Sequence, residues 1–92
     1  MKNLSLFRGF IERQSWIDAK TYKTAPHRYI VKTKLSEKDK KIFELFALFI
    51  RKYGYEAKFW SKSFIYYEID GYKYWTYGDP IEDTIILNRV RL

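Results

Sequence analysis

His27 is the only histidine in the chain; it stands between Pro26 and Arg28, with Lys32 a little further on. An imidazole titrates near neutrality, so His27 is a candidate general acid or base. Arg28 and Lys32 would hold the phosphate of its substrate. Together they define one chemistry, metal-independent cleavage of RNA or a nucleotide. The alternative is a turn histidine hydrogen-bonded beside the proline. A single imidazole cannot build a multi-histidine metal site, and no carboxylate pair stands at ligand spacing. Neither metal nor cofactor is expected. There is no G-x-S-x-G nucleophile elbow, and the four glycines are too scattered for a phosphate loop.

A second chemistry lies in Phe59 to Tyr77, F-W-S-K-S-F-I-Y-Y-E-I-D-G-Y-K-Y-W-T-Y. Asp70-Gly71 between two β-prone runs predicts a hairpin with a two-residue type I′ turn. The turn sets Ile69 opposite Tyr72, Glu68 opposite Lys73, Tyr67 opposite Tyr74 and Tyr66 opposite Trp75, then Ile65 opposite Thr76 and Phe64 opposite Tyr77. Side chains alternate between faces. One face carries Ile65, Tyr67, Ile69, Tyr72, Tyr74 and Thr76; it is free of charge and reads as core. The other carries Trp60, Lys62, Phe64, Tyr66, Glu68, Lys73, Trp75 and Tyr77.

Rings beside lysines on a sheet suit stacked bases and neutralised phosphates. The candidate binding residues are Lys62, Tyr66, Trp75 and Tyr77, flanked by Arg89, with Lys20 and His27 at the border. Two alternatives stand beside this reading. The rings serve only as core, covered by the first helix; or the patch binds a protein target, as an inhibitor would, since Tyr, Trp and Arg dominate interface hot spots.

The elements that position these residues follow from periodicity. Residues 3 to 14 predict a short helix with Leu4, Phe7, Phe10 and Ile11 on one side. Residues 16 to 22 are a strand or an extended arm, and Thr24 to Pro26 a turn or strand entrance. Residues 28 to 34 are β-branched and aromatic, and predict a strand. Ser36 caps a helix running to about Tyr53, with Glu37 and Asp39 at its positive end and Arg51 and Lys52 at its negative end. Ile42, Leu45, Phe46, Phe49, Ile50 and Tyr53, widened by Phe43, form its apolar stripe, and Gly54 stops it. Gly78-Asp79-Pro80 is a turn, and Thr84 to Leu92 a last strand. The expected fold is α+β: an antiparallel sheet of about four strands, with the long helix and the short N-terminal helix on one face.

A length of 92 residues predicts one domain spanning 1–92. Such a chain is short for a self-sufficient core, but 47% of it is hydrophobic and 21% aromatic. The absence of cysteine excludes a disulfide framework and fits the cytoplasm. The N-terminal residues do not read as a signal peptide, no run approaches the ~18 apolar residues of a membrane span, and no membrane partner is expected. A formal charge of +7 favours a polyanion. The expected partner is a nucleotide or single-stranded nucleic acid.

The segments W-I-D-A-K-T-Y, A-P-H-R-Y-I-V, Y-K-Y-W-T-Y-G and I-I-L-N-R-V together resemble a group of small bacterial and phage-type proteins. The resemblance covers about the C-terminal four-fifths of the chain. It implies a stand-alone microbial or mobile-element protein and carries no activity with it. In size, charge and helix-then-sheet order the chain is also similar to RelE-type ribonuclease toxins, but lacks their arginine-rich, glycine-containing sheet segment.

Overall fold

A computed structural model describes residues 4–19, 27–59, 62–79 and 82–92; at Phe59 and Lys62 the description covers the backbone alone. Helix α1 is Leu4–Arg13, and strands β1 and β2 are Ile17–Ala19 and His27–Val31. A 3-10 helix, Lys32–Lys34, leads into α2, Glu37–Tyr53. Strands β3 to β6 follow at Tyr55–Phe59, Lys62–Ile69, Tyr72–Tyr77 and Ile86–Arg91. The six strands form one sheet in the order β1-β2-β6-β5-β4-β3, and every neighbouring pair is antiparallel. The α+β class is as expected, with six strands rather than about four.

The two additional strands lie at the sheet's edges. β1 settles the extended segment after Trp16 as a strand, pairing Ile17 with Tyr29. The stretch of residues 20 to 22, Lys20 included, and the turn expected at Thr24 to Pro26 lie outside the described residues, as do Trp60 and Pro80. β3, Y-E-A-K-F, was not expected. Its alanine, glutamate and lysine are poor strand formers, yet it pairs fully with β4 from Tyr55↔Tyr66 to Phe59↔Lys62.

The hairpin turn is as its residues demand. Asp70 and Gly71 have φ of 51° and 84°, the positive values that a type I′ turn requires. The register runs from Ile69↔Tyr72 to Tyr66↔Trp75 as predicted. It ends there. The expected pairs Ile65–Thr76 and Phe64–Tyr77 do not continue it: β4 goes on against β3, and β5 against β6.

Both helices pack on the face of Ile69 and Tyr74, where the buried core gathers. Phe46 stacks on Phe7 at 4.7 Å between ring centroids and lies 5.5 Å from Tyr74. Phe49 meets Tyr67 edge-on at 4.9 Å. Ser36 caps α2 by accepting a hydrogen bond from the Asp39 amide at 3.2 Å. Arg13 and Gln14 donate to the two carboxylate oxygens of Asp39 at 3.0 and 3.1 Å, which ties the end of α1 to the start of α2. Leu45 and Tyr53, expected in the apolar stripe, are exposed, and Ala47 is buried instead.

Gly54 ends α2 for a reason of space. Its φ is −79°, an ordinary extended value, so it is not the left-handed stop that its position suggested. A Cβ there would lie 2.4 Å from the Ile50 carbonyl oxygen and 2.5 Å from that of Tyr66. Only glycine lets the helix end approach the β4 backbone so closely.

β2 ends earlier than the expected strand of residues 28 to 34. At Lys32 the chain turns into the 3-10 helix, and the side chain reaches Glu44 and Asp83 at 2.6 and 3.5 Å. The last strand begins at Ile86 rather than Thr84. No helix among the described residues is long and apolar enough to cross a membrane.

Candidate nucleic-acid interface

With both helices on one side, the other face of the sheet is left to the hairpin's aromatic rows. The strand registers place Tyr55, Phe64, Tyr66, Lys73, Trp75 and Tyr77 on it, together with His27 and Tyr29. The first helix does not cover it. Phe64, Tyr66 and Trp75 are half-buried against one another, while Tyr55 and Tyr77 are 65% and 72% exposed. Neighbouring ring centroids are 6.0 Å apart for Phe64–Trp75, 6.4 Å for Phe64–Tyr66 and 6.1 Å for Tyr55–Tyr66. The Lys73 ammonium sits 4.4 Å from the Tyr66 ring centroid, a cation–π distance.

Of the expected binding residues, Tyr66, Trp75 and Tyr77 share this face, and Lys62 holds a strand position on it opposite Phe59. His27 borders it, its ring 5.8 Å from Trp75. Arg89 does not join them. It pairs with Tyr74 across β5 and β6, which turns its side chain to the helix side. There its guanidinium lies 4.3 Å from the Trp16 ring and 4.5 Å from the Tyr72 ring. Burial pushes the Tyr74 hydroxyl above its ordinary pKa, and the hydrogen bond and charge of Arg89 only partly offset this.

The cleavage constellation around His27 is kept only in part. Arg28, one residue along β2, points to the opposite face and pairs with Asp18 at 2.8 Å. Lys32 is 2% exposed and committed to its carboxylates. The hydrogen bond to Glu44 raises its pKa, burial lowers it, and the charges of Glu44 and Asp83 leave it above the ordinary lysine value. Lys32 is thus not placed to hold a phosphate beside the imidazole, whereas Arg28 and His27 line one pocket.

Where the β4–β5 register ends, the parting strands leave a cleft of about 660 Å³ whose walls include Phe64, Ile65, Trp75, Thr76, Tyr77 and Arg51. That lies within the roughly 300–1,000 Å³ typical of small-ligand sites. Arg51, from the last turn of α2, donates to the Gly78 carbonyl at 3.1 Å, which sets a guanidinium at the cleft's edge. Sequence reasoning missed Arg51 and Tyr55 as site residues. The alternation Tyr55, Ala57, Phe59 was the available signal for Tyr55; no local signal brings Arg51 to the hairpin.

Comparison with family models, with curated proteins and with solved structures found no match to this chain.

Proposed function

We propose that this is a small basic binding protein that takes a nucleotide or a single-stranded nucleic acid on its open sheet face. The observation that carries the reading is the contiguous group Tyr55, Phe64, Tyr66 and Trp75, with Lys73 over Tyr66, on a face that neither helix covers. Bases stack on such rings with little regard to sequence. The cleft beside Trp75 gives one base a deeper seat between Phe64 and Tyr77.

Counted over the described residues alone, the electrostatic part of this binding is modest. The face offers Lys73 and the Lys62 position, and Arg89 is turned away from it. Two phosphate contacts on a single strand give a log K against log salt slope of about −1.4, so stacking supplies most of the affinity. Tryptophan fluorescence titration with mononucleotides and short oligonucleotides tests the reading. Quenching that Trp75→Ala abolishes is the expected result. A flat response with every ligand at low salt overturns it and turns attention to a protein partner for the exposed rings.

A further inference from the structure

On the helix side of the sheet, away from the aromatic face, three arginines meet at one end of β2 and β6. Arg28 is paired with Arg89, and Arg91 with Tyr72. A pocket of about 270 Å³ is lined by these three arginines, Tyr72, Asp18 and His27. Three guanidinium groups and one carboxylate share it, so the lining carries a formal charge of +2. Asp18 is engaged by Arg28 at 2.8 Å. Among the described residues Arg89 and Arg91 form no ion pair.

Arg89 is held ready for a ligand. Its guanidinium is stacked between Trp16 and Tyr72 at 4.3 and 4.5 Å, which fixes its plane before anything binds. Its Nε is buried without a hydrogen-bond partner. Buried donors of that kind are rare in folded proteins, and each calls for an explanation. That Nε is out of reach of solvent, but Arg89 also lines the adjoining pocket, and guanidinium forks match the oxygens of phosphate in paired hydrogen bonds.

We infer that the Arg28–Arg89–Arg91 pocket binds a phosphate monoester or free phosphate. A formal +2 matches a dianion, whereas a carboxylate would neutralise only half of it. The three arginines alternate to the other side of the sheet from Trp75, while His27, its ring 5.8 Å from that of Trp75, borders both places.

The test is an NMR titration at constant ionic strength, following the arginine Nε–H signals and the Trp16 indole. The titrants are inorganic phosphate, a nucleoside 5′-monophosphate and the matching nucleoside, with chloride as control. Saturable shifts of Arg89 and Trp16 with phosphate or the monophosphate, and none with chloride, are expected. Equal affinity for the two marks the phosphate group as the whole determinant, and tighter binding of the monophosphate marks a nucleotide ligand. Arg91→Gln, at an exposed position, should weaken binding of inorganic phosphate at least tenfold. Arg28→Gln is the second variant should Arg91→Gln not fold. The inference is overturned by the lack of a saturable shift with either phosphate ligand, or by unchanged binding in a folded arginine variant.

Discussion

The ammonium of Lys32 lies 2.6 Å from the Glu44 carboxylate, a bridge from the 3-10 helix after β2 to the middle of α2. Its two ends differ in exposure: the Lys32 side chain is 3% exposed and that of Glu44 46%. Glu44→Ala removes the nearer partner and leaves a buried ammonium with Asp83 at 3.5 Å. A fully buried pair broken in this way costs about 3–5 kcal/mol. Solvent screening at Glu44 reduces the expected loss to about 1–2 kcal/mol, measurable in urea melts at neutral pH.

The same bridge sets an alkaline limit. The folded-state pKa of Lys32 is raised above the ordinary 10.5, so its contribution is fully present below that value. It is lost as pH rises through the raised folded value. The stability gap between wild type and Lys32→Met should be constant from pH 7 to about 10 and close above that range. A gap that already closes below pH 9 contradicts the assignment.

Asp39 sets the corresponding acid limit. Burial raises its carboxyl, but the hydrogen bonds from Arg13 and Gln14 and the charges of Arg13 and Lys38 outweigh this and hold it below 3.8. Its stabilisation is therefore present above 3.8 and is lost as pH falls through the lower folded value. Asp39→Asn should lower the melting temperature at pH 7 and have a diminishing effect below pH 4.

Phe46 is fully buried between Phe7 and Tyr74. Phe46→Ala should cost about 3–5 kcal/mol. A loss below about 1 kcal/mol in denaturant melts would place the helix–sheet core elsewhere.

Gly54→Ala should destabilise by about 1–3 kcal/mol through overpacking, because its methyl group would press on two backbone carbonyl oxygens. A left-handed glycine would instead tolerate asparagine. Gly54→Asn should thus be at least as harmful as Gly54→Ala, and calorimetry of the pair separates the two explanations.

Trp75→Ala should lose about 1–3 kcal/mol of single-strand affinity as one stacking platform disappears. His27→Ala, at the border of the face, should change affinity much less. If any RNA cleavage is detected in EDTA and vanishes in His27→Ala, the binding reading must give way to a catalytic one.

What the chain determined by itself is local. The Asp70-Gly71 turn dictates the hairpin register because positive φ at two successive residues admits one turn type, and a period of two does the rest. Ser36, Asp39 and the spacing of Ile42, Phe43, Phe46, Phe49 and Ile50 define α2 for the same reason: each signal acts within a few residues. Tertiary structure decided everything that depends on distant partners. Alternation puts Arg89 beside Leu87 on one side of β6, but only the pairing of β6 with both β2 and β5 shows that this side faces the helices. The same closure buries Lys32 against Glu44 and Asp83 and opens a cleft where β4 and β5 part. It also leaves the rings of Tyr55, Phe64, Tyr66 and Trp75 on the face opposite the two helices. A strand has two faces that its own sequence can label; which of them meets the helices is a property of the assembled sheet.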